Sequence, residues 1–484
     1  MTSGTGGTID YGLTASGFTG KVNFGTRSGS GFLTINGTPY TVITSLGEEG
    51  STDTDLQGRN SNLSGHYFLG ADIDASGTSV WNSNAGFAPI GNESNPFKGV
   101  FDGGGHTISS LTINRSGTND AGLFGDLQSA HIANVGLKTV NITGYNRVGG
   151  LTGNSKKSSI TNSYATGSVT GGSYIGGLVG QSFAVASTIT NSYAESVVTG
   201  TSSGSGTGYV GGLVGSMIGT ITNSYATGDV AGVNYVGGLA GSASGTVSGS
   251  YATGGVTGTT YYVGGLVGAM NGSITKGYAI GSVSGKNYAG GLVGTQSSGS
   301  ISDSYAEGSV VGNGATYVGG LVGKMNGNIT NSHAIGIARG NLYVGGLVGN
   351  MDGAIENSYA TGDVSGTAGV VGGLVGGQSS GDITNSHAIG SVSGKNYAGG
   401  LVGIQSSGSI SDSYAEGSVT GTGNDFYYGG LVGSVSGGSI TNSYATGGVS
   451  GANCVGGLAG YGGIITNSYA TGSVTGTGNS IGGL

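Results

Sequence analysis

Ile160-Thr161-Asn162-Ser163-Tyr164-Ala165-Thr166-Gly167-Ser168-Val169-Thr170-Gly171, then a short link, then Tyr174-Ile175-Gly176-Gly177-Leu178-Val179-Gly180, is the stretch that decides the fold. A unit of this form recurs twelve times from Ile160 onward, about every 26–27 residues. Self-similarity at such a period is the mark of a solenoid. One block, Ala279 to Val310, returns as Ala388 to Val419 with a single difference, Thr295 against Ile404. The copies lie 109 residues, or four units, apart.

Comparing units shows which slots are constrained. The first slot is Ile in eleven units and Val247 in the other. Two residues later stands Asn in eight units, Asp303 and Asp412 in two, and Gly249 and Lys276 in the remaining pair. Asn, Asp and Gly share tolerance of left-handed backbone, so this slot reads as a bend. Tyr comes two residues after it, replaced by His333 and His387, and Ala follows in every unit. A slot that takes only Ala reads as tight inner packing, and one that trades Tyr for His reads as outer. The later Val slot holds Val in eleven units and Ala338 in one, with Gly two residues on in all twelve.

These are short β segments between glycine bends, and no 3.6-residue period survives the glycines. The expected fold is all-β: a right-handed parallel β-helix of about 26–27 residues per coil. A single coil cannot offset the conformational entropy of ordering 26 residues, at ~1–2 kcal/mol each, with about four inward apolar side chains. Stability is therefore expected to come from stacking on neighbours.

Composition agrees. Glycine reaches 113 of 484 residues, about three times the usual share, with only three prolines and no Gly-X-Y triplet. Hydrophobic residues make up 35%, too many for a solvated disordered tail. The net charge of −8, with no basic stripe, argues against nucleic acid as a partner. Cys454 is the only cysteine, which excludes a disulfide within the chain. Met1 to Gly7 is polar with no apolar run, and no stretch approaches the ~20 apolar residues of a membrane helix. Gly482-Gly483-Leu484 breaks off inside a motif, so the chain is expected to be a truncated piece of a longer protein whose export signal and anchor lie elsewhere. An uncapped coil is further expected to associate end to end.

Residues 1–150 are less regular. They hold the only tryptophan, Trp81, and all three prolines. They read as irregular N-terminal β-helix coils with a lateral loop around Ser76–Ser94, and residues 151–484 as the regular repeats.

Gly-Gly-Leu-Val-Gly recurring after Asn-Ser-Tyr-Ala resembles the repeat named GLUG. The runs Gly65 to Asp74, Phe87 to Gly91, Pro96 to Gly103 and Gly122 to Gly125 resemble the exoprotein region of large filamentous-haemagglutinin-like adhesins of Gram-negative bacteria. Together the resemblance covers about residues 30–484. The GLUG repeat also occurs in other bacterial surface proteins, including some immunoglobulin-A-cleaving metallopeptidases. The resemblance implies export through an outer-membrane transporter, a secreted or bacterial cell-surface location, and a β-helical shaft. The family's N-terminal secretion domain is not identified in full, and no C-terminal effector region is present.

Little in the sequence carries chemistry. Asp72 and Asp74 would share a strand face and could offer oxygen to calcium, but that ion wants six to eight ligands. Asp102 and His106 flank Gly103-Gly104-Gly105 as a conceivable acid–base pair, for which a glycine bend with polar shoulders is the simpler account. No His-Glu-x-x-His zinc motif appears, Cys454 has no evident partner histidine, and no titratable cluster is evident. No catalytic residue, metal or cofactor is expected, and the chain reads as no enzyme.

The tyrosines are more informative. One slot forms a structural ladder: Tyr164, Tyr193, Tyr225, Tyr251, Tyr278, Tyr305, His333, Tyr359, His387, Tyr414, Tyr444 and Tyr469. A second Tyr slot precedes Gly-Gly-Leu. The links before that slot vary most in length, and solenoids often bind along such an edge. Tyr209, Asp425, Phe426 and Tyr427 on the longer links are the candidate binding residues. The expected function is an extracellular adhesin or surface-filament segment making weak, multivalent contacts with a host-cell surface or glycan. The alternatives are a structural spacer or a β-helical enzyme acting on polysaccharide. The enzyme would need clustered carboxylates, where the repeats hold Thr, Ser and Gly.

Overall fold

Asn162 and its eleven counterparts all take left-handed backbone, with φ between 46 and 56°, and each coil turns at that point. Lys276 adopts it too (φ 53°), so the stack imposes the bend where the side chain does not favour it. The computed structural model describes residues 11–201, 208–314, 316–424 and 426–483. It is nearly all-β, a parallel β-solenoid of about 16 turns with about 27 residues per turn. The chain divides into two units: Met1–Gly232 with Leu239–Gly245, and Val233–Gly238 with Thr246–Leu484.

After a short hairpin, Leu13–Thr14 against Gly17–Phe18, the first unit has an antiparallel pair, Gly29–Ile35 against Thr38–Ile43, in the register Leu33↔Tyr40. From Thr38–Ile43 onward the pairing between strands is parallel, with one antiparallel bridge between Gly86 and Ile113. One inward column runs Tyr67↔Phe101↔Ile132↔Ile160↔Ile189↔Ile221. On the next face Ile73, Ile108 and Leu137 stand in line with Ala165, Ala194 and Ala226. Large inner side chains of the irregular coils thus give way to alanine where the regular repeat begins. Segment 76–95 interrupts the regular strands but stays on the stack, with Phe87 and Ile90 fully buried and Ile90 paired in parallel with Phe124. It contains the turn Ser76–Val80 and the short turn Trp81–Asn84, in which Asn82, Ser83 and Asn84 all have positive φ.

In the second unit each coil contributes the same inward residues. The alanine column runs from Ala252 through Ala306 and Ala360 to Ala470. The isoleucine column runs from Ile274 through Ile329 to Ile465. Nearly all are fully buried.

The two glycines of Gly-Gly-Leu are needed for room rather than for conformation. Neither Gly319 nor Gly320 has positive φ. A Cβ on Gly319 would lie 2.0 Å from the carbonyl oxygen of Val322, and one on Gly320 would lie 2.0 Å from that of Gly346. The same added Cβ on Gly320 would lie 2.9 Å from the methyl group of Ala334, so glycine and alanine face each other across a space with room for neither to grow.

A buried serine ladder holds the coils together where sequence comparison registers only a common residue. Ser332 is 1% exposed. Its hydroxyl donates to the carbonyl oxygen of Thr330 (2.7 Å) and accepts from the backbone N–H of Ser304 in the preceding coil (3.2 Å). The Ser332 N–H in turn donates to the hydroxyl of Ser358 (3.1 Å). Replacing Ser332 by alanine leaves the Ser304 N–H buried without an acceptor. The expected cost is ~1–3 kcal/mol, read by urea denaturation, with faster hydrogen exchange at the Ser304 amide.

Candidate functional site

The first tyrosine ladder is a true ring stack. In the second unit it runs from Tyr251 to Tyr469, with successive centroids 4.6–5.3 Å apart and rings within 8° of parallel. His333 and His387 are rungs of this stack. Burial lowers the pKa of each, against the opposing pull of Glu307 and Glu416. In the first unit Tyr164, Tyr193 and Tyr225 stack likewise, at 4.8 and 4.7 Å. There the hairpin Leu13–Thr14/Gly17–Phe18 covers the stack, and Tyr164 and Tyr193 are each only 1% exposed. Gly136 takes the Tyr slot one coil earlier, and Phe18 lies against Tyr164 at 5.6 Å as the end rung.

The second Tyr slot forms a looser column. Tyr235, Tyr262, Tyr288, Tyr317 and Tyr343 follow one another at 4.8–5.2 Å, and Val370 then interrupts the stack. Of the candidate binding residues, Tyr209 stacks on Tyr174 at 5.0 Å, and Phe426 meets Tyr397 edge-on at 5.8 Å. Tyr427 packs between Tyr397 (5.7 Å) and Tyr461 (4.7 Å). Asp425 lies outside the described residues. Cys454 occupies the slot after Tyr427, half-buried, with φ 50°.

Tyr428, beside them, is an inner residue that the sequence comparison did not single out. It stands in the inward column between Ala398 and Val455 and is fully buried. Its hydroxyl donates to the carbonyl oxygen of Lys395 (2.7 Å) and accepts from the Gly423 N–H (3.1 Å). The link before Tyr427 is therefore tied to the core.

Asp72 and Asp102 take other partners than the less favoured readings offered them. Asp102 and His106 are not a pair: His106 Nδ1 lies 3.0 Å from Asp72 and its Nε2 2.9 Å from the carbonyl oxygen of Val22, while Asp102 accepts from Asn134. Asp72 does not share a strand face with Asp74, since the strand is Ile73–Asp74. Asp72 instead clasps segment 11–24 to the coils, accepting from Lys21 (2.6 Å) and the Thr107 N–H (3.0 Å). Burial pushes its pKa up, but Lys21, Thr107 and His106 outweigh it and hold the carboxyl at about 2. A depressed carboxyl contributes stability that is complete above its ordinary pKa and is lost as pH falls through about 2. Segment 11–24 is thus expected to loosen between about pH 4 and pH 2, seen as protease cleavage confined to that segment.

A charged cluster in the first unit, not evident in the sequence, continues the second Tyr column into the irregular coils. Ala121, Val148, Ile175 and Val210 are in line, so Asp120, Arg147, Tyr174 and Tyr209 occupy equivalent places. Arg147 Nε lies 2.6 Å from Asp120 Oδ1, and its Nη2 donates to Asp120 Oδ2 (2.9 Å) and Glu93 (3.1 Å). Asp126 is buried nearby and accepts from Asn154 (2.6 Å). Burial raises Asp120 to about 6 against the attraction of Arg147. Burial likewise raises Asp126. Among the described residues, no three His, Cys, Asp or Glu side chains are placed to hold a metal ion.

Next to this cluster an open groove of about 530 Å³ crosses successive links. Its lining is Ser116, Thr143, Gly144, Tyr145, Asn146, Thr170, Gly171, Gly172, Ser173 and Thr201. Tyr145 is 55% exposed.

Comparison with known proteins bears on two parts of the chain. Residues 54–167 match the family model described as the M26 IgA1-specific metallo-endopeptidase N-terminal region. Residues 206–231, 285–311, 340–365, 394–420, 424–450 and 451–475 match the GLUG motif. The chain carries GLUG repeats. A 130-residue stretch, 25% of the chain, is 45% identical to halomucin of Haloquadratum walsbyi and spans 1% of that protein's length. A crystal structure of a candidate immunoglobulin A1 protease from Bacteroides ovatus aligns over 80% of this chain and 77% of its own, at 18% identity and a TM-score of 0.23. Among the described residues no helix is long and apolar enough to cross a membrane.

Proposed function

We propose that this chain is a segment of a secreted or cell-surface repeat protein of the filamentous-haemagglutinin-like kind, without enzymatic activity of its own. Its coils form a shaft whose link edge makes weak contacts with a host-cell surface or glycan. The observation that carries this reading is the contrast between the inside and the link edge. Inward columns are nearly invariant and fully buried. The link edge varies in length and presents half-buried aromatics, with Phe426 and Tyr427 of one of the longer links gathered against Tyr397 of the preceding coil. Contacts repeated coil after coil multiply in avidity even when each is weak. The GLUG matches support an extracellular setting.

The repetition of a 32-residue block with one difference, from Ala279 to Val310 and again from Ala388, favours a spacer as the second reading, because length is what duplication adds. Attachment of the purified chain to cells and to immobilised glycans separates the two. Shortening the link before Tyr427 is a poor test, because Tyr428 ties Gly423 to the core. A Phe426→Ser/Tyr427→Ser double variant should keep the β-sheet circular dichroism and lose most attachment. Attachment unchanged in that variant and in the groove variants described next, or absent from the parent chain, leaves the spacer.

A further inference from the structure

We infer that the groove across Ser116, Tyr145 and Thr170 in the first unit is a binding site for a neutral oligosaccharide chain. This rests on reading the link edge as a contact surface, and it names the site and the ligand class. The groove's 530 Å³ falls within the range of ligand clefts, about 300–1,000 Å³. Its wall is one exposed tyrosine, and its other side chains are hydroxyls and one amide. Tyrosine supplies a rigid amphipathic surface, and Ser, Thr and Asn supply adaptable hydrogen bonds, a mixture that serves recognition elsewhere.

Three observations narrow the ligand. Among the described residues no charged side chain lines the groove, and Arg147 beside it is already paired with Asp120 and Glu93, so neither an anion nor a cation is selected. The backbone of the floor is used up between coils: Tyr145 N–H donates to Thr118, Gly172 N–H to Tyr145 and Thr201 N–H to Gly171. An extended peptide therefore finds no free strand edge to join. Thr143 and Thr170 face each other across adjacent coils in register, so hydrogen-bonding groups repeat along the stack about every 4.8 Å. A ligand that is uncharged, rich in hydroxyls, elongated and apolar on one face meets these conditions, and a neutral sugar chain has all four properties.

The test is ligand-observed NMR on the full chain with neutral tetrasaccharides of glucose, galactose and N-acetylglucosamine. Sialylated and sulfated oligosaccharides and a capped tetrapeptide complete the panel. At least one neutral tetrasaccharide should bind at millimolar concentration, and the charged sugars and the peptide should bind no better. Tyr145→Ala should weaken binding about tenfold, and Thr143→Val with Thr170→Val several-fold, with circular dichroism unchanged. The inference is overturned if no neutral sugar binds up to about 10 mM, at the weak end of specific association. Unchanged affinity in both folded variants overturns it as well, as does preference for the peptide or the charged sugars. Cell attachment that is lost in the Phe426/Tyr427 variant but accompanied by no sugar binding rejects the groove and keeps the proposed function. Sugar binding lost on Tyr145→Ala, in a chain that attaches to no cell or glycan surface, does the reverse.

Discussion

Gly320→Ala is expected to destroy the packing of its coil on the next, at a cost above about 4 kcal/mol, the range reserved for identifiable core failures. The added methyl would sit 2.0 Å from the carbonyl oxygen of Gly346 and 2.9 Å from the methyl of Ala334. Neither obstacle is the end of a flexible side chain. One is backbone already receiving its place from the ladder, and the other is a fully buried alanine. Relief requires the two coils to part, which breaks the bonds from Gly320 N–H to Gly345 (3.1 Å) and from Leu321 N–H to Leu347 (2.9 Å). Because a solenoid is stable through neighbour contacts, a broken interface removes support from the coils on both sides. Gly77→Ala is the control. Its Cβ would meet no heavy atom within 4 Å and its φ is not positive, so it should be neutral or stabilise by up to ~1 kcal/mol. Urea denaturation followed by circular dichroism reads both, and native-state hydrogen exchange locates the damage in the coils around Gly320.

That glycine shows how far the sequence could be read. The bend slot was legible because Asn, Asp and Gly share a backbone preference, and all twelve bends are left-handed. The alanine slot was legible because no other side chain enters it, and the reason proves to be the second glycine of Gly-Gly-Leu, which faces the alanine methyl group at close range. The serine before the ladder ring, present in eleven units and replaced by Gly277 in the other, was not, although it is buried and bonded in coil after coil. Serine is too common in this chain for its recurrence to stand out, and its partner is an amide one coil away. Tyr428 was hidden by its neighbour: in the doublet Tyr427-Tyr428 only the coil register says which ring faces inward. Phe18 was hidden because it caps the first ladder from 146 residues away, across the irregular coils.

The charged cluster was hidden for a different reason, and one signal could have revealed it. Asp120 and Arg147 are 27 residues apart, one coil, and each stands before a Gly-Leu motif. Carrying the repeat register back into the irregular region would have placed both in the second Tyr slot, side by side. Composition alone could not, because the unit of this fold is the coil and not the local segment.

The cluster carries the other large effect. Arg147→Ala is expected to destabilise the first unit by ~3–5 kcal/mol at neutral pH, since it strips a buried carboxylate of its counter-charge. Asp120 is 7% exposed and Asp126 is 6% exposed, so neither can recover its hydration by a small movement. Asp120→Asn should cost less, because burial already disfavours the charged form and holds the carboxyl at about 6. The pH dependence distinguishes this from a simple loss of packing. A carboxyl whose folded pKa is raised above its unfolded value is most favourable to the fold below the unfolded pKa, and that advantage declines as pH rises through the folded pKa. Without Arg147 the lowering influence on Asp120 is gone and its folded pKa rises further. The deficit of Arg147→Ala should therefore shrink as pH falls from 7 through about 6, where Asp120 is protonated with or without the guanidinium, and change little below that, while an Arg147→Ala/Asp120→Asn double variant should show little such slope. Hydrogen exchange at the Asp120 and Ala121 amides, which donate to Asn146 and Arg147, reports on these coils directly. A deficit that stays constant over that pH range would mean that Arg147 acts through its contacts and not through its charge.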